Sequence, residues 1–202
     1  MYSQRIPELE PARTYGILGI ILEFFGGILN IFINYAGLIA EVLGLILLLN
    51  SMNLISNYYD NKKPFKYMLA SVISGILIGL IVILVFGISS YAVTTHAGTA
   101  PPVSPAYGLL VSLFILLLGV IASIIFEYFA YKSVYELTGV RDFNTAANML
   151  LIGVILTIII IGILLIFIGI IFVILGFNKL PSDAKPRNPV NPEEGIYDDM
   201  NF

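Results

Sequence analysis

Residues 143–178 form a run of 36 positions without a single Asp, Glu, Lys or Arg. A hydrocarbon layer about 30 Å thick takes about 20 helical residues to cross, and a charge-free run of this length has no polar face to turn toward water. Residues 15–56 behave similarly, with Glu23 and Glu41 as the only charges in 42 positions. Two further apolar runs, 67–91 and 107–131, each begin and end on tyrosine, as aromatic rings at the headgroup level of a membrane span would. With 58% hydrophobic residues, 11% charged residues and a mean hydropathy of +0.96, a soluble globular domain is excluded. The fold class expected is all-α: a polytopic integral membrane helix bundle whose first partner is the lipid bilayer.

Both long runs need folding back. In the first, Asn30 and Asn34 flank the natural turn, since Asn side chains bond local backbone and interrupt helices. This predicts a short helix over 15–30 and a fuller one over 35–56. The loop 57–66 then leads to span 67–91, and the loop 92–106 to span 107–131, which continues into water as 132–137 and ends near Gly139. Residues 146–178 as one helix would be about 50 Å long and demand an extreme tilt, so a break near Gly162 into two short helices is the alternative. Basic side chains near span ends stay cytoplasmic. Six crossings place all 10 on that side: Arg5, Arg13, Lys62, Lys63, Lys66, Lys132, Arg141, Lys179, Lys185 and Arg187. Five crossings would strand the last three outside. The expectation is six spans (short hairpin, two long helices, short hairpin) in the plasma membrane with both termini cytoplasmic. Spans one, five and six are thin at about 16 residues, or about 24 Å, and re-entrant hairpins satisfy the same charge rule.

Flanking this transmembrane domain (15–180) are a polar leader (1–14), which lacks the layout of a cleaved signal peptide, and an acidic, proline-rich tail (181–202) of disorder-prone composition. In the tail Asp183, Glu193, Glu194, Asp198 and Asp199 outweigh Lys185 and Arg187. No basic cluster suits nucleic acid. Zero cysteines exclude disulfides and thiolate chemistry, and no phosphate loop, metal-ligand cluster, dinucleotide fingerprint or triad is present. No enzyme activity, metal or cofactor is expected. His96, the one histidine, reads as a loop residue, Asn50, Asn53 and Asn57 as interfacial hydrogen-bonders, and the run Phe126, Tyr128, Phe129, Tyr131 and Tyr135 as interface anchors.

Small residues recur at helix-packing spacing: Ser71, Gly75 and Gly79; Ala36, Ala40 and Gly44; Gly162, Gly169 and Gly176. Lipid supplies no hydrophobic incentive for helices to associate, so close approach through such residues has to provide much of it. Within one chain they favour a tight bundle; between chains they would serve other membrane subunits or a homo-oligomer.

Glu23 and Glu41 are the candidate site. An ionisable group far from the interface is costly in hydrocarbon unless neutralised, paired or wet. With a turn about Phe32, both lie nine residues away, at one depth roughly 13 Å along their helices. Gly16, Gly19, Glu23, Gly26 and Asn30 share one helix face, and Asn34, Gly37, Glu41 and Gly44 the corresponding one. Two carboxylates brought together there would share a proton and titrate as a unit. The plainer alternative is that two neutral side chains hydrogen-bond and hold the hairpin. Glu127, near the inner end of span four, is expected to snorkel to the interface.

The sequence resembles an archaeal and bacterial membrane family known as domain of unknown function 996. The likeness lies in Gly16-Ile17-Leu18-Gly19, in Gly44-Leu45-Ile46-Leu47 through Ile55-Ser56-Asn57-Tyr58-Tyr59-Asp60, in Tyr131-Lys132-Ser133 through Leu137-Thr138-Gly139, and in Phe143-Asn144-Thr145-Ala146 leading to Ile152-Gly153 and Ile161-Gly162. It implies a compact multi-span protein, archaeal in type, and carries over neither an activity nor a glutamate pair. The functional expectation is a small accessory or scaffold subunit of a membrane complex, with the tail as a docking segment. The alternative is a small transporter or channel passing protons or cations through the glutamate pair.

Overall fold

The structure is a computed structural model that describes residues 9–95, 105–156 and 161–181. The described residues form six helices: α1 (Glu10–Phe32), α2 (Asn34–Tyr58), α3 (Lys63–Thr95), α4 (Pro105–Thr138), α5 (Arg141–Ile155) and α6 (Ile161–Asn178). Most of the leader, the His96 loop and the tail beyond Pro181 lie outside the described residues. The chain is all-α, and α1, α2, α3, α4 and α6 each contain a stretch long and apolar enough to cross a membrane.

Several boundaries differ from expectation. The first helix starts five residues early and is 23 residues long, so it is not a short span. Pro11 sits in its first turn, where a missing N–H costs nothing and the fixed φ suits the helix. The first hairpin pivots on one residue, Ile33, with φ −140° and ψ 85°. Between α2 and α3 the turn passes through Asp60 at φ 50°, and the new helix is capped twice: Lys63 N–H donates to Asn61 Oδ1 at 3.0 Å and Phe65 N–H to Ser56 Oγ at 3.1 Å. α4 stops at Gly139, whose φ of 71° is a left-handed cap that glycine adopts without strain. In the last stretch, α5 begins at Arg141 rather than 146, and the break falls between Ile155 and Ile161, leaving Gly162 inside α6. At 15 residues α5 is about 22 Å long, shorter than a full crossing.

The helices form three antiparallel hairpins, α1–α2, α3–α4 and α5–α6. Hairpins join through α2 on α3 and α4 on α5, and α6 closes back on α1, so the chain describes a ring. Contacts around one end of this ring tie every hairpin foot together. Ser51 Oγ donates to Ala12 C=O at 2.6 Å, Tyr67 packs on Phe129 with ring centres 5.5 Å apart, Tyr131 stacks on Phe143 at 6.3 Å, and Phe143 meets Phe177 edge-on at 5.1 Å. Arg13 hydrogen-bonds the Asn178 side chain, and Lys179 pairs with Asp142 at 2.9 Å. Consequently Arg13, Lys62, Lys63, Lys66, Lys132, Arg141 and Lys179, the basic residues within the described segments, gather at a single end. Residues 9 and 180 lie there too, in the same buried core. Away from that end, α3 and α4 present rows of exposed apolar side chains such as Ile76, Leu80, Ile83, Leu84, Leu113 and Phe114. In a bilayer those rows meet lipid tails.

Candidate functional site

The α1–α2 contact is made through backbone. A Cβ placed on Gly44 would lie 2.6 Å from Glu23 N and 2.7 Å from Gly19 O; one on Gly26 would lie 2.7 Å from Glu41 N and 3.0 Å from Gly37 O. Only glycine admits this approach. The face of α2 turned to α1 is therefore Gly37, Glu41, Gly44 and Leu48. Of the series Ala36, Ala40, Gly44, only Gly44 lies on this face within the chain: Ala36 is exposed and Ala40 half-buried, because the contact is set by the glycines that let α1 in. On α6, Gly162, Gly169 and Gly176 are all buried against α5, facing Gly153, Leu150 with Met149, and Phe143 respectively. On α3, Ser71 is buried and Gly75 looks toward Ser123 Oγ, whereas a Cβ on Gly79 would meet nothing within 4 Å. Its ridge is thus occupied only in the half nearer the basic end.

Glu23 and Glu41 line one cavity of about 420 Å³ inside the ring. Because the hairpin pivots at Ile33, Glu23 lies ten residues from the turn and Glu41 eight, which staggers them by about 3 Å along the helix axis. Glu41 Oε1 rests over Gly27, 3.3 Å from where a Cβ would stand. Neither carboxylate hydrogen-bonds or ion-pairs with a described residue.

A third carboxylate joins them. Glu127 lines the same cavity and accepts a hydrogen bond from Ser71 Oγ at 3.2 Å. This corrects the expectation that it snorkels. Its carboxylate is turned inward, to the cavity and to Ser71 on α3, instead of along α4 toward the headgroups. A hydroxyl cluster supports it: Ser74 Oγ and Ser123 Oγ are 3.0 Å apart, and Ser74 Oγ donates to Ser71 C=O at 2.8 Å. Glu127 and Glu23 also face a second hollow of about 290 Å³ between the first two hairpins, lined by Ser71, Gly75 and Ser123 among others. Tyr131, expected at the interface, is buried at the cavity wall and against Phe143.

The remaining wall is apolar: Ile20, Phe24, Ile124, Leu150, Ile166, Ile170 and Val173, drawn from α1, α4, α5 and α6. No Lys or Arg lines it. Among the described residues no three acidic or histidine side chains are grouped as a bound metal ion would require. Asn57 bonds Asn53 at 3.5 Å and accepts from Lys62 Nζ at 2.7 Å, away from the cavity at the α2–α3 turn.

Long apolar helices, one charged end and glycine-mediated hairpins define a helical multi-pass membrane protein. Within that class the chain belongs to the family described as Protein of unknown function (DUF996), whose model matches residues 40–171. It is also similar to an uncharacterised protein, MJ1644, of the archaeon Methanocaldococcus jannaschii, at 32% identity over 189 residues, covering 90% of this chain and 98% of the relative. No solved structure matches. The family match takes in Glu41 and Glu127 and stops short of Glu23.

Proposed function

We propose that this chain is a small membrane protein that passes protons or monovalent cations through the carboxylate-lined cavity of its helix ring, the reading that ranked second on sequence alone. The observation that carries it is the convergence of Glu23, Glu41 and Glu127, from three different helices, on one hollow. Intramembrane carboxylates are costly, rare and commonly mark ion or proton paths. A purely adhesive pair would be hydrogen-bonded, whereas Glu23 and Glu41 have no such partner among the described residues. In this reading the basic end is cytoplasmic by the positive-inside rule, both termini emerge there, and the chain resides in the plasma membrane with six passes or with four and a re-entrant α5–α6 hairpin. The α5–α6 hairpin enters and returns on that side whether or not its tip reaches the far surface.

The test is a proteoliposome with a pH-sensitive dye inside and an imposed proton gradient. Wild-type protein is expected to speed dissipation, and Glu23→Gln combined with Glu41→Gln to return it to the protein-free rate. Equal rates for wild type and the double variant would leave the carboxylates as glue.

The accessory-subunit reading is favoured by a different observation: on the far half of α3, Gly79 borders a hollow beside α4 and Gly87 is exposed with nothing near it, small residues that a helix of another chain could approach closely. Purification from the native membrane tests it, a constant co-purifying subunit supporting it and its absence removing it.

A further inference from the structure

We propose that the cavity binds a lipophilic organic cation, one positive charge carried on an apolar and preferably aromatic body, and that binding displaces a proton from its carboxylates. The inference deepens the reading of the cavity as a cation site and rests on it. Three features of the wall select this chemistry. Its charge is of one sign only, with Glu23, Glu41 and Glu127 and no basic side chain. Its remaining surface is aliphatic and aromatic, which suits neither a hydrated inorganic ion nor a sugar or phosphate. Its volume of about 420 Å³ falls in the range of small-molecule sites and exceeds by far what a proton or a dehydrated metal ion needs.

Independent of the acidic cluster, Glu23 itself points to a missing partner. It is half-buried, makes no hydrogen bond or ion pair with a described residue, and lines the hollow. A carboxylate so placed gains more from a cation with an apolar envelope than from any group the chain supplies. Phe24 and Tyr131 are on the same wall and supply aromatic surface of the kind that attracts cations. The titratable groups facing the site from the surrounding helices are Glu23 on α1, Glu41 on α2, and Glu127 and Tyr131 on α4; Ser71 Oγ supports Glu127 from α3. An incoming monovalent cation that pairs with an ionised carboxylate, while the proton it replaces leaves to water, keeps the net charge of the cavity constant. Electroneutral exchange is the economical route in a medium where an unbalanced charge is expensive.

Entry from the lipid is also provided for. Along the seam where α6 closes on α1, Phe24 meets Phe167 edge-on with ring centres 4.8 Å apart, and Phe167 is exposed on the outer surface. At this seam an aromatic pair links the cavity wall to the surface that meets hydrocarbon, where a lipophilic cation would accumulate.

The experiment uses the full chain in detergent micelles, with tetraphenylphosphonium as the cation and triphenylphosphine oxide as its neutral counterpart. Equilibrium binding and proton release into weakly buffered solution are recorded together. The expected result is saturable binding of the phosphonium with release of about one proton per cation, roughly a tenfold or greater loss of affinity in Glu23→Gln, and a similar loss in Ile170→Phe, which fills the cavity and leaves its charges alone. Glu23→Asp, which retains the charge, is expected to keep part of the affinity and serves as the folded control. Absence of saturable binding to wild type, equal binding of the neutral oxide, or unchanged affinity in Glu23→Gln would each overturn the proposal. Proton flux without phosphonium binding would remove the ligand and leave the proton path standing; glutamate-dependent binding without flux would do the reverse.

Discussion

The first and second hairpins solve the same problem by different means. α1 and α2 touch backbone to backbone through Gly19, Gly26, Gly37 and Gly44, while α3 and α4 are joined near the cavity by Ser71, Ser74, Ser123 and Glu127. Lipid tails are as apolar as leucine, so neither pair gains from hydrophobic association alone. Close approach offers the first hairpin a long continuous contact. Hydroxyl groups hold the second beside the cavity, Ile78 packs on Gly119 further along, and Gly79 borders a hollow against α4. The consequence is functional. A hairpin clamped along its length keeps Glu23 and Glu41 at a constant stagger, whereas Glu127 rests on one serine hydroxyl and has more freedom to change partner.

Substitutions can break that contrast, beginning with the largest effect. Gly44→Leu drives a side chain into Glu23 N and Gly19 O, which are backbone and cannot move aside, so a loss of about 3 kcal/mol or more is expected, read as a large fall in thermal unfolding temperature in detergent. A Gly44→Leu protein as stable as wild type would mean that the two helices do not approach this closely. Next comes Ser71→Ala, which removes the donor to Glu127; a loss on the order of 1 kcal/mol is expected in the same assay, because membrane hydrogen bonds are individually modest. Introducing Glu127→Gln into the Ser71→Ala background should then cost less than in wild type, which a double-mutant cycle measures directly. The smallest effect belongs to Gly79→Ala: its methyl meets nothing within 4 Å, and stability is expected to change by less than about 0.5 kcal/mol. A marked loss there, seen in the native membrane and not in the purified chain, would reveal a partner helix on that strip.

Much of the plan could be read from residue order. The all-α class, the doubling back of both long apolar runs, the grouping of basic residues at alternate loop ends and the opposed glycine faces of the first hairpin all follow from local rules of burial and periodicity. Glu127 is different, because its place in the apolar run gives its depth and not the direction its side chain takes. The helix continues past Tyr131 as expected, but the other hairpins pack around those turns and the carboxylate faces inward to Ser71 and the cavity. Similarly, Ala36 and Ala40 share a spacing with Gly44 but not its role, since the face of α2 that meets α1 is decided by what α1 can fit against it. The α5–α6 break came earlier than Gly162 because a glycine every seven residues is useful inside a packed helix, here against Phe143, Leu150 and Gly153.

Hydropathy and charge by themselves determined that this chain lives in a membrane as a set of helices with one basic end, because both quantities depend only on which residues lie next to each other along the chain. Which carboxylates share a hollow was decided by the closing of the ring. Glu23 and Glu41 stand on consecutive helices and could be paired from the sequence, whereas Glu127 joins them only because the hairpins pack into a ring, with α6 closing onto α1 as part of the apolar wall.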